Sequence, residues 1–301
     1  MKLIAILLVL ATEEKWRSFR TLQPFHALIE FAGRLRARFG ASSWFNGPGG
    51  VVLAIAPGVA GVALFQAALD AVDGFVGWLV GLAFAIAVLI ACIGRRGADE
   101  EIDGYRDSVA RGDHEGAYLH VRELLPRADA PASSVDLHRQ VLELILVRNH
   151  ERLLAMLFWF VVLGPVGAVL YRSSAQLKAV MYSAEEFDLG FREAVLRLQA
   201  FLDWIPVRIT ALCQALVGSF SDALTEWRIG SAMAPDLYSG NRAVLVGSGL
   251  GSLRLQERVV ADPDDPATFD HTLADTRALV YRMAIIWVTV FAALTIVGWL
   301  S

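Results

Sequence analysis

The densest group of polar residues within apolar sequence is the segment Asp203-Trp-Ile-Pro-Val-Arg208. Its acid and its arginine flank a proline at the junction of two apolar stretches, so neither is expected to be fully solvated and each needs a partner. Proline interrupts backbone hydrogen bonding, and the helix predicted over 187–204 must stop or kink there. Such a kink can hold a phosphate or a carboxylate through Arg208, or Asp203 and Arg208 can form an internal ion pair. The residue types leave both interpretations open.

Three further charged residues are candidates for the same kind of chemistry. Glu151 lies just before the third long apolar run and Arg172 just after it. Arg172 is typical of an interfacial anchor, whereas a carboxylate such as Glu151 at a membrane boundary can hold a cation or a proton. Glu14 lies three residues before Arg17, on the same face of a predicted helix, and an exposed intrahelical pair is the alternative to a ligand-binding role.

The sequence lacks the local motifs of a nucleotide-binding loop, a dinucleotide fold, a serine-hydrolase elbow or a zinc protease. Cys92 and Cys213 each stand alone in an apolar run and the histidines are dispersed, so no metal site is predicted. The glycine-rich stretch 247–252 has amides that can cradle an anion. No lysine or strand accompanies it, and it is predicted to be a flexible connection.

The composition indicates the environment of the chain. Its 301 residues are 55% hydrophobic and only 19% charged, whereas an average soluble protein has about 25% charged residues. A net charge of -4 is too small an imbalance to indicate nucleic acid, and no nucleic-acid partner is expected. We therefore predict a membrane protein whose partner is the lipid bilayer.

Four apolar runs without charges supply the membrane-spanning length, and they cover 51–69, 75–93, 153–171 and 283–300. At a rise of about 1.5 Å per residue, each is just long enough to cross a hydrocarbon core of roughly 30 Å. The turn between the first two runs carries two acids and no base while both outer flanks are basic, so the turn should face the periplasm. Either the third run spans the membrane, or it joins the apolar stretch 209–220 as a buried or re-entrant element, and Gly164-Pro165 in its middle is typical of a broken helix. The side of the membrane that holds 172–278 stays open.

The remaining sequence has helical and not strand periodicity. We therefore predict an all-α integral membrane protein with about four transmembrane helices and with amphipathic and polar helical segments. In order, the predicted parts are an N-terminal amphipathic segment, a transmembrane hairpin, a polar helical segment, a membrane element with a helical region that contains the proline kink, and a C-terminal transmembrane anchor. Their boundaries are 1–50, 51–93, 94–152, 153–278 and 279–301.

Several stretches, most of them between about residues 140 and 215, resemble the AmpE family. They are Leu157-Phe-Trp159, Gly164-Pro-Val-Gly-Ala168, Tyr171-Arg172, Leu202-Asp-Trp-Ile-Pro-Val-Arg208-Ile-Thr-Ala-Leu212 and Ala223-Leu-Thr-Glu-Trp227. The resemblance implies a multi-pass protein of the bacterial inner membrane that is linked to regulation of the inducible chromosomal β-lactamase. The AmpE family is related to the cobalamin-biosynthesis proteins CobD and CbiB, which join an aminopropanol-type group to cobyric acid in an ATP-dependent amide synthesis.

The chain departs from this synthase branch where the branch is expected to hold metal and phosphate. It has Glu151-Arg152 where the branch has Asp-Gly, and Arg172 where the branch has lysine. Within 175–178 it lacks the Asn-Thr pair and the acid that follow in the branch. Cobinamide synthesis is therefore not expected, although the segment 203–208 matches.

Two functions remain open. In the first, the protein is a regulatory or sensory membrane protein whose polar pocket binds a cell-wall-derived or nucleotide ligand and whose output is a signal. In the second, it is an amide or phosphate ligase of unknown substrate that uses ATP and Mg as cofactors. Whether the protein turns over any substrate stays open. Both hypotheses use the same expected ligand-binding residues, which are Asp203, Arg208, Arg172, Glu151 and Glu14.

Overall fold

The structure is a computed structural model. It describes residues 2–11, 25–93, 101–125, 131, 133–183, 187–254 and 266–296. All regular elements in these ranges are helical, as the sequence predicts. The helices are α1 (Lys2–Ala11), α2 (His26–Phe39), α3 (Pro48–Asp70), α4 (Phe75–Ile93), α5 (Asp103–Ala110), α6 (His114–Leu124), α7 (Ser134–Asn149), a π-helical turn (His150–Leu154), α8 (Ala155–Leu163), α9 (Pro165–Ser183), α10 (Leu189–Val217), α11 (Phe220–Met233), α12 (Leu237–Ser252) and α13 (Pro266–Ile296).

Four of these helices are long and apolar enough to cross a membrane, in agreement with the predicted number. They are α3, α4, α10 and the part Thr268–Ala293 of α13. The hairpin of α3 and α4 lies where the sequence predicts it. The C-terminal candidate span begins at Thr268, before the predicted run 283–300, and overlaps that run only in part. The protein is therefore a multi-pass, all-α membrane protein with the lipid bilayer around its apolar helices.

The third predicted span differs from the observed one. The run 153–171 is divided at Gly164, where α8 ends and α9 begins, so it is the broken element that the sequence left as an alternative. Gly164 has φ 69° and ψ -154°, a conformation that is essentially restricted to glycine because a Cβ would be strained there. The third long apolar helix is instead α10, which contains Pro206.

Pro206 was expected to stop or kink the helix; it does not end α10, and a side chain compensates for the N–H that proline lacks. In a regular helix the N–H at position 206 would donate to the carbonyl of Leu202, four residues earlier. Proline cannot do so, and the indole Nε1 of Trp159 donates to the oxygen of Leu202 at 3.0 Å instead. The expectation that a proline ends a helix fails here because the replacement donor, Trp159, lies 43 positions away in the sequence from Leu202.

The chain folds into two compact units. Unit 1 comprises Met1–Arg95, Arg152–Leu202 and Trp287–Ser301, and unit 2 comprises Arg96–Glu151 and Asp203–Ile286. In unit 1, α9 packs against α2, α3 and α4. Stacked aromatic rings strengthen this core, with the ring centroid of Phe191 lying 5.5 Å from that of Phe45 and 5.1 Å from that of Phe187.

In unit 2, α11 and α12 pack closely along a row of small residues. The stretch 247–252, predicted to be a flexible connection, forms the last turns of α12. A Cβ on Gly251 would lie 2.8 Å from the carbonyl oxygen of Asp222, and a Cβ on Gly247 would lie 3.0 Å from that of Glu226. The glycines thus permit two helix backbones to approach, which is a packing requirement that the linear sequence does not reveal.

The break at Gly164 yields a stability prediction. Gly164→Ala places a Cβ in the strained conformation and should lower the free energy of unfolding by about 1–3 kcal/mol. Gly58→Ala is the control, because Gly58 lies inside α3 with no heavy atom within 4 Å of a built Cβ. The control should be neutral or stabilising by up to about 1 kcal/mol. Thermal unfolding in detergent, followed by tryptophan fluorescence, measures both variants, and equal Tm values would contradict the assignment.

Candidate functional site

A buried histidine forms the centre of the polar site in unit 2. His150 directly follows α7 and opens the π-helical turn, a type of distortion that is frequent at functional sites. The side chain of His150 is only 2% exposed. Its Nδ1 lies 3.1 Å from the hydroxyl oxygen of Thr210, and its Nε2 lies 3.6 Å from Oδ1 of Asp203. Within the described part of the chain, Nε2 has no partner within hydrogen-bonding distance.

The helix α10 presents both partners of His150 on one face. Asp203 and Thr210 are seven residues apart, which is about two helical turns, and Val207 lies between them on the same face. All three residues are buried. This alignment requires α10 to continue through Pro206, since a stop there would separate Asp203 from Thr210.

Arg208 contacts only neutral groups, unlike the ion pair with Asp203 that is one of the two interpretations of the sequence. Its Nη1 donates to the carbonyl oxygen of Trp204 at 2.7 Å and to Oδ1 of Asn241 at 3.1 Å. The guanidinium carbon lies 4.4 Å from the centroid of the Trp204 ring, a cation–π distance. Among the described residues, no carboxylate forms an ion pair with Arg208.

A small cavity of about 20 Å³ lies beside His150, Asp203 and Asn241. That volume holds about one water molecule. The lining combines acids, a base, an amide and apolar side chains, namely Val147, His150, Glu151, Asp203, Val207, Tyr238, Asn241, Arg242 and Leu245. The cavity therefore suits a water molecule or one atom group of a ligand, and it does not fit a whole nucleotide.

The orientation of Arg242 is fixed by a neighbouring acid. Its Nη2 lies 3.2 Å from Oε2 of Glu143, and Arg139 pairs with the other oxygen of the same carboxylate at 3.2 Å. Because Glu143 is largely buried, these two guanidinium groups compensate a carboxylate that would otherwise be costly. Arg242 thus reaches the cavity as a paired base.

Three of the five predicted site residues lie in this part of unit 2. Glu151 and Asp203 line the cavity, and Arg208 is joined to it through Asn241. Arg172 belongs to unit 1, where Nη2 and Nε of its guanidinium lie 2.8 Å and 3.2 Å from the amide group of Gln176, which accepts both hydrogen bonds when its oxygen is turned toward Arg172. Glu14 lies outside the described residues.

The sequence did not identify His150, Thr210, Asn241 or Arg242 as site residues. His150 carries one usable signal, since it adjoins Glu151 at the start of an apolar run, but the wide spacing of the histidines hides it. Asn241 and Arg242 carry none, because their contacts with Arg208 and Glu143 span 33 and 99 positions.

The site around His150 does not match the ATP and Mg that the synthase resemblance implies. Within the described ranges, no group of three or more histidines, cysteines or acids is placed to hold a metal ion. The cavity is also far smaller than a nucleotide. The residues around His150 therefore do not fit Mg-ATP in the observed arrangement.

A second buried polar pair lies elsewhere in unit 2. The hydroxyl of Tyr105 is 2.5 Å from Nδ1 of His138, and the imidazole stacks on Phe269 with ring centroids 4.6 Å apart. Burial raises the pKa of the Tyr105 hydroxyl, so the phenol keeps its proton and donates a hydrogen bond to Nδ1 of His138. The pair fixes α5 against α7 and is a structural contact.

Comparison with known proteins identifies relatives over most of the chain. The model of the family described as CobD/Cbib protein matches residues 2–256. A cobalamin biosynthesis protein CobD from Chromobacterium violaceum is 31% identical over 175 residues, which cover 58% of this chain and 55% of that relative. The CobD protein of Stutzerimonas stutzeri is 30% identical over 235 residues, or 76% of this chain and 74% of the relative. Protein AmpE of Shigella flexneri is 25% identical over 228 residues, or 72% of this chain and 78% of the relative. No solved structure matches.

The contact between His150 and Thr210 can be tested by removing one hydroxyl. Thr210→Val keeps the shape of the side chain but leaves the buried Nδ1 of His150 without its partner, and it should lower the free energy of unfolding by about 1–3 kcal/mol. The matched control is Thr225→Val, because the hydroxyl of Thr225 is exposed and bonds only to the carbonyl of Ser221 in its own helix. Tm values measured in detergent decide, and equal losses in the two variants would contradict the buried contact.

Proposed function

Since this chain belongs to the CobD/CbiB family of membrane proteins, we propose that it is a regulatory or sensory member of the AmpE type. In this proposal the polar pocket beside α10 binds an anionic ligand at the membrane boundary, and the output is a signal linked to β-lactamase induction and the state of the cell wall. The alignment with the AmpE-named relative supports the choice, because it covers 78% of that protein. The departures at Glu151, Arg152 and 175–178 from the synthase pattern support it as well.

One observation carries the proposal: within the ranges that the structure describes, the guanidinium of Arg208 has only neutral partners. A charge in an apolar helix is costly unless it is compensated, and the carbonyl of Trp204 and the amide of Asn241 compensate it only partly. An anion that reaches Arg208 would supply the missing charge. A carboxylate or phosphate group matches the two-pronged geometry of arginine particularly well.

The contacts of Arg208 also indicate how binding could be transmitted. Asn241 accepts from Arg208 and belongs to α12, and the neighbouring Arg242 is held by Glu143 of α7. An anion that replaces Asn241 at Arg208 releases one link between α10 and α12. Since α12 packs closely against α11, a change at this link shifts the position of both helices. The ligand would be a cell-wall-derived or nucleotide anion, of which one charged group enters the site.

The alternative is an ATP- and Mg-dependent amide or phosphate ligase of unknown substrate. The names of the relatives favour it, since the proteins with 30% and 31% identity are cobalamin biosynthesis proteins CobD. In that case the buried His150 and Asp203 would hold a proton near the reacting groups, and ATP would be bound by groups beyond this small cavity. For either function we propose the bacterial inner membrane as the location, with the basic flanks of α3 and α4 in the cytoplasm.

The anion proposal is tested by substituting Arg208 and measuring ligand-induced stabilisation. A soluble muropeptide and ATP are the probes, and the purified full-length protein is heated in detergent with and without each of them. An anion that binds should raise the Tm of the wild type, and Arg208→Gln should lower its affinity about tenfold or more, because a charge-assisted contact is lost. Arg197→Gln is the control on the same helix, since Arg197 is exposed and pairs with Glu193.

In cells, the same substitution of Arg208 should alter β-lactamase induction, and Arg197→Gln should not. The purified protein should convert neither probe. Stabilisation that is identical in the wild type and in Arg208→Gln would contradict the anion site.

The ligase alternative makes the opposite prediction. With Mg and ATP, the purified protein should hydrolyse ATP above background, and Asp203→Ala should abolish this activity. The gene should also restore cobalamin-dependent growth to a strain that lacks its own CobD. Our preferred function predicts neither result, and a positive result in both assays would overturn it.

A further inference from the structure

Unit 1 contains a second, larger cavity that the function proposed above does not use. It has a volume of about 640 Å³, which is in the range of pockets that bind small molecules. The polar side chains that line it are Arg36, Asn46 and Asp188, and the aromatic ones are Phe45 and Phe187. A base, an amide and an acid thus share one open pocket with an aromatic wall.

Two long helices begin at this cavity, and the apolar length of one of them, α3, starts there, which indicates the edge of the hydrocarbon layer. Asn46 lies two residues before α3, and Asp188 directly precedes α10. Both helices are candidate membrane spans. The two starts are adjacent, since the backbone of Asn46 leaves no room for a Cβ on Gly190. Trp44, half exposed beside the cavity, has the position of an interfacial tryptophan.

The charged side chains are held in place by local contacts. The guanidinium carbon of Arg36 lies 5.5 Å from the centroid of the Phe187 ring, a cation–π distance. Asp188 accepts from the backbone N–H of Leu189 through Oδ1 at 2.7 Å, and Asn46 donates to the carbonyl oxygen of Gly40 at 2.9 Å. The lining is therefore ordered by the chain itself, with one positive and one negative group facing the same space.

From this arrangement we infer that the cavity binds a phosphoethanolamine group, the headgroup of phosphatidylethanolamine in the inner leaflet. The phosphodiester lies against Arg36 and the primary ammonium against Asp188, while Phe45 and Phe187 contact the carbon atoms of the headgroup. A purely anionic headgroup is disfavoured by Asp188, and a quaternary ammonium cannot donate hydrogen bonds to it. The boundary position leaves the acyl chains in the hydrocarbon layer beside α3.

Lipid competition on the full-length protein tests this inference. The protein is reconstituted in nanodiscs that contain phosphatidylethanolamine, phosphatidylglycerol and phosphatidylcholine in equal parts, then extracted in mild detergent, and the retained lipid is measured by native mass spectrometry. Wild type should retain phosphatidylethanolamine about tenfold over either other lipid. Arg36→Gln should lower retention of all phospholipids, and Arg36→Lys should restore part of it.

Asp188→Asn separates recognition of the ammonium from folding, because asparagine keeps the oxygen that caps Leu189. This variant should lose the preference for phosphatidylethanolamine over phosphatidylglycerol while still retaining lipid. The matched controls are Arg34→Gln in α2 and Glu193→Gln in α10, which remove exposed charges that do not line the cavity. Unchanged Tm values of all variants show that the effects are local.

A further arm distinguishes the lipid from a soluble ligand of the same chemistry. Free phosphoethanolamine is added to the detergent-solubilised protein. If it displaces the lipid only at large excess, the lipid is the ligand, and if it stabilises the protein as well as the lipid does, the soluble compound is the ligand. Equal retention of the three lipids by the wild type, or the same retention by Arg36→Gln and Arg34→Gln, would overturn the inference.

Discussion

The hydrogen bond from the indole of Trp159 to the carbonyl of Leu202 is the contact on which the site depends. A proline inside a helix costs about 3 kcal/mol, in part because the carbonyl four residues earlier loses its donor. In an apolar helix no water is available to replace that donor. The indole supplies it, and α10 therefore continues from Leu189 to Val217 through Pro206. Without this continuity, Asp203 and Thr210 would not share one face.

The polar site follows from that continuity and from the need of buried groups for partners. His150 is buried at the end of α7 and is held between Thr210 and Asp203. Arg208, one position beyond the buried face, donates to Trp204 and Asn241, and none of the acids that the structure describes forms an ion pair with it. The proposed anion site rests on this arginine. The buried pair of His150 and Asp203 is compatible with proton transfer, as the ligase alternative requires.

The sequence predicted the class of the fold because charge-free runs of sufficient length are a direct consequence of the bilayer. It predicted less well where a distant contact overrides a local rule. Pro206 was expected to stop or kink the helix, and the hydrogen bond from Trp159 explains why the helix does not stop. The glycines of α12 were predicted to form a flexible connection. In the structure they are helical, and they allow the backbone of α11 to approach closely. The residue types and their neighbours in the sequence identified Asp203, Arg208 and Glu151 as candidates. Other residues of the site, such as His150 and Asn241, come from helices that are distant from Asp203 and Arg208 in the sequence.

The two cavities differ in their chemical environment, and each is the basis of a different proposal. The small site beside α10 combines buried acids with bases and admits one group of a ligand. The larger cavity at the start of α3 has one base and one acid at the membrane boundary. Family membership alone does not decide between the two proposed functions, because the relatives include both a cobalamin biosynthesis protein CobD and a protein AmpE.

A double-mutant cycle of Trp159→Phe and Pro206→Ala tests the central contact most directly. Phenylalanine removes the indole N–H, and alanine restores the backbone N–H that can bond to the carbonyl of Leu202. The free energy of unfolding is measured in detergent for the wild type, both single variants and the double variant. Our account predicts that Trp159→Phe costs about 1 kcal/mol less in the Pro206→Ala background than in the wild type, because the carbonyl then has another donor. An equal cost in both backgrounds would show that the indole does not compensate for the proline, and would contradict the account.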